Sequence, residues 1–247
     1  MGTGLTVALW AVMVGTSLLS GIFGMAGGLV LVGVLLVLLP LQDAMALHAV
    51  TQVASNGWRA AFMLRHVRWR LVGAYVLGCL AATAIWSVFR WVPDKPVALI
   101  ALGVSPFLLK LLPARLKPDS EKPAHATACG LASMSLMLLT GVSGPLLDAF
   151  FLGGKMDRHG IIATKAVCQV QGHGLKLLYF GALVADPGTL DPVVAVGAVF
   201  ASMLGTVLAR QVLDRLTEAQ FRRWAGRIVT TIAATYIAHG CWLLFAS

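Results

Sequence analysis

Two apolar segments of this chain carry polar side chains at helical spacing. The first polar stripe is His48, Gln52, Asn56 and Arg59, and the second is Lys165, Gln169, His173 and Lys176. Intervals of four, four and three residues keep each stripe on one face of a helix. The amide and imidazole N–H groups donate hydrogen bonds to oxyanions, while the lysines and the arginine supply positive charge. The two stripes therefore predict a binding site for a small anion.

The stripe residues also have structural interpretations. Arg59 and Lys176 lie about one turn from the ends of their segments, where long cationic side chains extend to the membrane surface. His48 fits an interfacial position. Gln52 and Gln169 can instead hold helices together, at about 0.6 kcal/mol per hydrogen bond. The sequence alone leaves these alternatives open.

Two titratable residues are candidates for proton transfer. Asp148 is the one acidic residue of its apolar segment, and an acid at membrane depth is a functional hypothesis by default. His173 titrates near neutral pH. Asp148 can alternatively pair with Lys165, and a lone histidine often only completes a hydrogen-bond network. We expect no cofactor and no metal, apart from a coupling ion that is H⁺ or Na⁺.

Glycines interrupt the first and the fifth apolar segments at matched positions. The interruptions contain Gly24, Gly27 and Gly28 in the first segment and Gly141, Ser143 and Gly144 in the fifth. A helix that resumes after such a break directs free N–H groups and its positive dipole end into a cavity, which favours an anion. Glycines also allow close helix packing. The matched positions favour a transport site, because secondary transporters bind substrate at the interrupted helices of two repeats.

The composition identifies the environment of these segments. Hydrophobic residues make up 58% of the chain and charged residues 12%, and the mean hydropathy is +0.84. Soluble domains carry about 25% charged residues, and uncharged runs of about 20 residues suit a helix that crosses a bilayer. The sequence therefore predicts an all-α integral membrane protein. The net charge of +9 reflects Lys and Arg in cytoplasmic loops, so the expected partners are the bilayer and a small anion rather than nucleic acid.

Hydropathy gives eight apolar segments in two repeated halves of four. They cover residues 5–39, 44–64, 71–89, 96–113, 124–152, 160–184, 191–209 and 224–246. An offset of 117 residues aligns 46–57 with 163–174, with matched glycines and a matched glutamine. We therefore predict one transporter domain over residues 1–247, with repeat 1 at 5–113, a linker at 114–123 and repeat 2 at 124–246. Internal duplication is typical of secondary transporters.

The distribution of Lys and Arg predicts the orientation of the halves. Basic residues place the loop after segment two, the central linker and the loop before segment eight in the cytoplasm. The charged residues of 185–192 are aspartates, with no Lys or Arg, so this loop is expected on the outside. Segment two then opposes segment six, so the halves are inverted. Inversion needs an odd number of crossings in each half, which arises if segments one and five are broken, re-entrant hairpins. The rival arrangement is eight plain spans with parallel halves.

Motifs for catalysis are missing from the sequence. It contains no HExxH, GxSxG or P-loop pattern, so we expect no enzymatic activity. The four cysteines, Cys79, Cys129, Cys168 and Cys241, form no CxxC pair. Their apolar surroundings indicate small buried hydrophobic residues rather than disulfides or metal ligands.

The segment Gly21-Ile-Phe-Gly-Met-Ala-Gly-Gly-Leu-Val-Leu-Val resembles the glycine-rich first segment of the TauE/SafE sulfite and sulfonate exporters. That family is also built from two related halves, each opening with such a segment. The matching positions are Gly24, Gly27, Gly28, Gly141 and Gly144. The resemblance covers the whole chain in length and layout. It implies a bacterial inner-membrane permease that moves sulfur-containing or similar organic anions, usually outward.

Residues and resemblance together predict a multi-pass transporter of a small anion. Its site would lie at the interface of the two repeats and work by alternating access. A non-transporting accessory membrane subunit and an anion channel are the alternatives. Assembly into a homo-oligomer is compatible with the sequence.

Overall fold

The predicted all-α fold is confirmed in the computed structural model, which describes residues 2–23, 26–89, 93–108, 119, 122–152, 156–183, 190–213 and 218–246. The helices are α1 (Thr3–Phe23), α2 (Ala26–Leu38), α3 (Leu41–Ala61), α4 (Trp69–Phe89), α5 (Lys95–Leu108), α6 (Pro123–Thr140), α7 (Gly144–Leu152), α8 (Arg158–Leu178), α9 (Pro192–Leu213) and α10 (Glu218–Ala246). A 3₁₀ turn at Leu64–His66 follows α3, and a π-helical turn at Tyr179–Leu183 extends α8. These described residues contain no β-strand.

Segments one and five are each two helices, as the glycine interruptions predict. Segment five breaks where α6 ends and Gly141 takes a left-handed backbone with φ of 84°, which suits glycine because it has no Cβ. Segment one breaks between α1 and α2. There α2 folds back on α1 so closely that a Cβ on Gly27 would lie 1.8 Å from the carbonyl oxygen of Thr16. Gly24, and most of the predicted linker, lie outside the described residues.

The six remaining segments hold α3, α4 and α5 in the first half and α8, α9 and α10 in the second. Their bounds differ from the predicted ones at starts and at ends; α9, for example, ends at Leu213 rather than at 209. α3 begins at Leu41 rather than at 44, directly after Pro40, whose fixed φ suits the approach to a helix. α10 begins at Glu218 rather than at 224, because its first turns are helical but polar, and hydropathy detects only apolar stretches.

The two halves are intertwined rather than side by side. α1 packs along α9, and α6 packs along α4, so the opening helix of each half lies against the other half. The contact between α4 and α6 is close. A Cβ on Gly78 would lie 2.0 Å from the Thr127 carbonyl oxygen, and one on Gly130 would lie 2.0 Å from the Tyr75 carbonyl oxygen. Small residues thus let these two backbones touch, as in other membrane helix pairs.

Equivalent helices of the two halves pack against each other in opposite directions. His48, early in α3, contacts Lys176 at the end of α8, whereas Gly57, late in α3, lies against Val170. α5 and α10 likewise meet head to tail, with Gly103 near Ala233 and Gly240 near the start of α5. This direction agrees with inverted halves. Parallel halves would set each pair of equivalent helices parallel.

The outer helices are apolar where they meet lipid. Thr3–Ile22, Trp69–Phe89 and Pro192–Ala209 are each long and apolar enough to cross a membrane, and Ala26–Leu38, Lys95–Ser105 and Thr230–Phe245 are shorter apolar stretches. Large exposed side chains cover the outer faces of α4 and α9, namely Leu77, Leu80, Ile85, Val88, Phe89, Val193, Val196, Phe200, Leu204 and Val207. α3 and α8 pack against each other and against surrounding helices, so they tolerate the two polar stripes.

The cysteines occupy the predicted environment. Cys79, Cys129 and Cys168 are buried free thiols, and Cys241 is partly buried and also free. Within the described residues they take part in packing and form no disulfide.

Candidate functional site

A small polar cavity lies where the two breaks meet the two stripes. Its lining consists of Ser20, Gly28, Leu29, His48, Gln52, Asn56, Val142, Ser143, Gly144, Gln169 and His173. The cavity is small, with a volume of about 20 Å³. Both halves contribute, since α2 and α3 form one wall and the α6–α7 break and α8 form the other.

The wall from the first half presents amide groups. Asn56 donates through Nδ2 to the Gln52 Oε1 at 3.2 Å and to the Gln52 backbone oxygen at 2.9 Å. The Gln52 side chain lies beside Gly28, where a Cβ would be 3.5 Å from Gln52 Nε2. Gly28 therefore keeps the start of α2 open to the amide, and the i, i+4 bond fixes the amide in place.

The wall from the second half presents polar atoms without partners. Ser143 is 1% exposed and His173 is 3% exposed, yet Ser143 Oγ and His173 Nδ1 have no hydrogen-bond partner within the described part of the chain. Ser143 stands immediately before α7, and Gly144, the first residue of that helix, also lines the cavity. Buried polar atoms normally have partners, so these two mark a place for a polar guest.

Lys176 and His48 link the two breaks behind this cavity. Lys176 Nζ donates to the Gly141 carbonyl oxygen at 3.0 Å and lies 2.6 Å from His48 Nδ1. His48 Nε2 lies 3.0 Å from the Gly28 carbonyl oxygen. Because a carbonyl only accepts, the His48 proton sits on Nε2 and Nδ1 accepts from Lys176. The result is one hydrogen-bonded connection from the α6–α7 break to the start of α2.

The sequence that builds this cavity matches a known protein family. The sulfite exporter TauE/SafE family matches residues 7–236 of the chain. The chain belongs to the TauE/SafE sulfite exporter family. That confirms the resemblance of the glycine-rich segments and makes this a multi-pass membrane protein of a transporter family for sulfur-containing anions. Comparison with curated proteins and with solved structures gives no match.

The structure of this TauE/SafE protein brings together most of the residues that the sequence singles out. Eight of them line the cavity: Gly28, His48, Gln52, Asn56, Ser143, Gly144, Gln169 and His173. Two others support its walls, because Gly27 packs on α1 and the Gly141 carbonyl oxygen accepts from Lys176. Their contact with an anion stays a prediction.

Two structural interpretations from the sequence are wrong. His48 is 0% exposed and lines the cavity, so it is not interfacial. Lys176 is also 0% exposed, and its ammonium group turns inward to Gly141 and His48 instead of extending to the surface. The reason is the antiparallel crossing of α3 and α8, which sets the end of one helix beside the start of the other.

The remaining candidates lie away from the cavity or outside the description. Arg59 and Lys165 are partly buried, and neither contributes to the cavity lining. The backbone of Asp148 lies in α7, but its side chain, like all of Gly24, is outside what the structure describes. Sequence reasoning missed Ser20, Leu29 and Val142, which line the cavity. The only feature of the sequence that points to these three residues is that they lie close to the glycine breaks.

Proposed function

We propose that this TauE/SafE protein carries sulfite or a sulfonate across the bacterial inner membrane, outward, and binds it in the central cavity. The observation that carries the proposal is the pair of buried, unpartnered polar atoms, Ser143 Oγ and His173 Nδ1, at the cavity wall. A protonated Nδ1, the serine hydroxyl and the Gly144 N–H at the start of α7 are donors, and donors are what an oxyanion requires. Gln52 and Gln169, one from each polar stripe, would complete the shell of hydrogen-bond donors around the anion.

The size of the cavity supports alternating access over a channel. The cavity is small, at about 20 Å³, and is not a continuous pore within the described part of the chain, so we propose that the walls separate to admit and release the anion. The walls come from different halves, which we propose to be repeats over 5–113 and 124–246. Movement of one inverted half against the other would open the cavity to each side in turn.

Counterflow in proteoliposomes tests this proposal. Vesicles containing the purified protein are loaded with unlabelled sulfite, and the entry of labelled sulfite is followed. We expect trans-stimulation, meaning faster labelled uptake than into empty vesicles, and competition by sulfonates. Uptake without trans-stimulation would indicate a channel. No protein-dependent uptake of any anion in a panel of sulfite, sulfonates, sulfate and carboxylates would indicate an accessory subunit.

We further propose that transport is coupled to protons through Asp148 and His173. A sulfonate keeps its charge across the usual pH range, so the pH dependence of its transport reports on the protein. Replacing Asp148 with Asn should abolish that pH dependence while transport continues. An unchanged pH profile in Asp148→Asn would remove Asp148 from the coupling, and a Na⁺ requirement at constant pH would replace the proton by Na⁺.

A further inference from the structure

The contact between Lys176 and His48 holds one proton between two nitrogen atoms. Lys176 Nζ and His48 Nδ1 are 2.6 Å apart, and both side chains are 0% exposed. The salt bridges among the described residues do not include Lys176. A buried ammonium group is costly without compensation. Here a histidine nitrogen and the Gly141 carbonyl oxygen are the groups that accept its protons.

The two nitrogen atoms differ in their position relative to the cavity. His48 lines the cavity, whereas Lys176 stands behind it. A proton that leaves Nζ for Nδ1 breaks one N–H bond and forms another, and nothing else changes. The resulting amine still donates to Gly141, and the His48 ring becomes an imidazolium that keeps its Nε2 bond to Gly28. The positive charge has then moved to the cavity wall.

We propose that Lys176 and His48 are a proton-sharing pair that transfers its charge to His48 when an oxyanion occupies the cavity. His48 then stabilises the anion through the charge of its imidazolium ring at the cavity wall, since its two N–H groups remain bonded to Gly28 and Lys176, and Lys176 is a positioning residue that supplies the proton. The inference rests on the proposed function and names the source of its positive charge. An anion in a water-poor cavity strongly favours positive charge on the nearer group, which drives the transfer. Without an anion the charge stays at Lys176, away from the cavity.

The neighbouring elements present few groups that compete for this proton. On α8 itself, His173 is the titratable side chain nearest to the pair, with its ring centroid 5.3 Å from that of His48. α2 and α6 present the carbonyl groups of Gly28 and Gly141. On α4, the Cys79 thiol donates to Gly130, and the buried Tyr75 hydroxyl lies against α8, where a Cβ at Gly172 would be 3.7 Å from it. α7 carries Asp148, whose side chain lies outside the described part of the chain.

Solid-state ¹⁵N NMR tests the transfer directly in the full-length protein. A background variant with His66, His125, His159 and His239 replaced by glutamine leaves only the two cavity histidines labelled. Sulfite is added in alkaline buffer, where it is the dianion and brings no proton of its own. We expect His48 Nδ1 to be unprotonated without sulfite and protonated at saturation. An unprotonated Nδ1 at saturating sulfite overturns the inference while leaving the proposed function intact. Absence of labelled-sulfite binding overturns both.

Substitutions of Lys176 separate a shared proton from a fixed charge. Lys176→Met removes the proton, and Lys176→Arg keeps a charge that a guanidinium cannot give up. We expect both to raise the KM for sulfite by about tenfold or more, as the loss of a charged hydrogen bond does, with a smaller change in kcat. The exposed Lys122→Met is the matched control with unchanged KM. Wild-type KM in Lys176→Arg would show that a fixed charge suffices and contradict the inference, and the NMR experiment decides if either variant fails to fold.

Discussion

Hydrogen bonding separates structural from functional polar residues in this protein. Thr16, Thr51 and Thr83 are buried, and each donates to a carbonyl oxygen of its own helix four residues earlier. Such hydroxyls are satisfied without a guest. Ser143 and His173 are equally buried but each has an atom without a partner among the described residues. The hydroxyls of Ser17 and Tyr75 are also buried without a partner among the described residues, but neither residue lines the cavity. An unpaired buried polar atom costs about 1–3 kcal/mol, so at the cavity Ser143 and His173 are the residues whose partners a bound anion would supply.

Ser143→Ala tests that distinction. Removing a hydroxyl that has no partner should leave the free energy of unfolding unchanged or slightly higher, while the KM for sulfite rises about tenfold. The matched control is Ser105→Ala, since the buried Ser105 hydroxyl donates to the Leu102 carbonyl oxygen at 2.9 Å. That control should lose about 1 kcal/mol of stability and transport normally. Measurements are thermal unfolding and proteoliposome uptake. Loss of stability in Ser143→Ala without a change in KM would assign Ser143 to structure.

The two stripe glutamines allow a second residue-scale prediction. Gln52→Ala and Gln169→Ala should each raise the KM for sulfite by about tenfold, because each removes a donor to an anion. Gln171→Ala is the control, since Gln171 is exposed on the same helix two residues from Gln169. Uptake kinetics and size-exclusion profiles are compared across the three. Wild-type kinetics in both cavity variants would leave these glutamines as links between helices.

The stripes were predictable from the sequence, but the exact contacts of their ends were not. Helical spacing places His48 and Gln52 on one face, and the repeat offset pairs them with Lys165 and Gln169. Neither pattern reveals that α3 and α8 cross antiparallel. That crossing brings His48 to Lys176 instead of to its repeat partner, Lys165. Tertiary packing therefore decided which cation reaches the site.

At the level of the helices, the fold depends mainly on close packing of neighbouring helix backbones. α4 and α6 touch through Gly78 and Gly130, where each glycine lies against a backbone carbonyl of the partner helix. Without a hydrophobic driving force between helices in lipid, such contacts provide much of the packing energy. The sequence showed these glycines but gave no indication of which helices they join, because the partners come from opposite halves.

Gly78→Ala should destabilise this helix pair. A Cβ there would lie 2.0 Å from the Thr127 carbonyl oxygen, so the backbones must move apart, at a cost of about 1–3 kcal/mol for overpacking. Gly73→Ala is the matched control in the same helix, since a Cβ at Gly73 meets nothing within 4 Å. That change should be neutral or stabilising, because alanine favours helix more than glycine does. Thermal unfolding in detergent checks both, and equal stability of the two variants would contradict the close α4–α6 contact.

The broken segments were the elements that the sequence predicted best. Glycine at the breaks follows from backbone geometry, and Gly141 does adopt the left-handed conformation that other residues avoid. Helix starts were less accurate, since hydropathy locates apolar stretches and not helix ends. α10 extends into a polar first turn for this reason.

At the scale of the whole molecule, inversion of the halves would let one cavity open to each side of the membrane in turn, as the proposed alternating access requires. Equivalent helices run in opposite directions, and each half packs its opening helix on the other half. In a cavity between inverted halves, the wall from one half faces one side of the membrane and the equivalent wall from the other half faces the opposite side. The charges on the loops favoured inverted halves from the sequence, because the positive-inside rule depends on local composition alone, and the cytoplasmic location of those loops stays a prediction.

A cross-link between α3 and α8 tests both the packing and the movement. In a background without the native cysteines, Gly57→Cys and Val170→Cys place two thiols side by side, since a Cβ at Gly57 would lie 3.8 Å from Val170 Cγ2. A short bismaleimide should link them, and a bismaleimide is required because sulfite cleaves disulfides. Gly57→Cys with Gly174→Cys is the control pair, as a Cβ at Gly174 meets nothing within 4 Å. Linkage of the first pair and not the second would support the antiparallel crossing.

Transport by the linked protein then reports on the opening of the cavity. If the cavity opens by separation of α3 and α8, as the proposed alternating access requires, linking these helices should abolish uptake. The same double variant blocked with a monofunctional maleimide should keep transporting, which separates the effect of the link from that of the added groups. Full transport by the linked protein would mean that the cavity opens elsewhere, between the breaks rather than between the stripes. The moving element would then be α2 or α7, with α3 and α8 as the fixed axis.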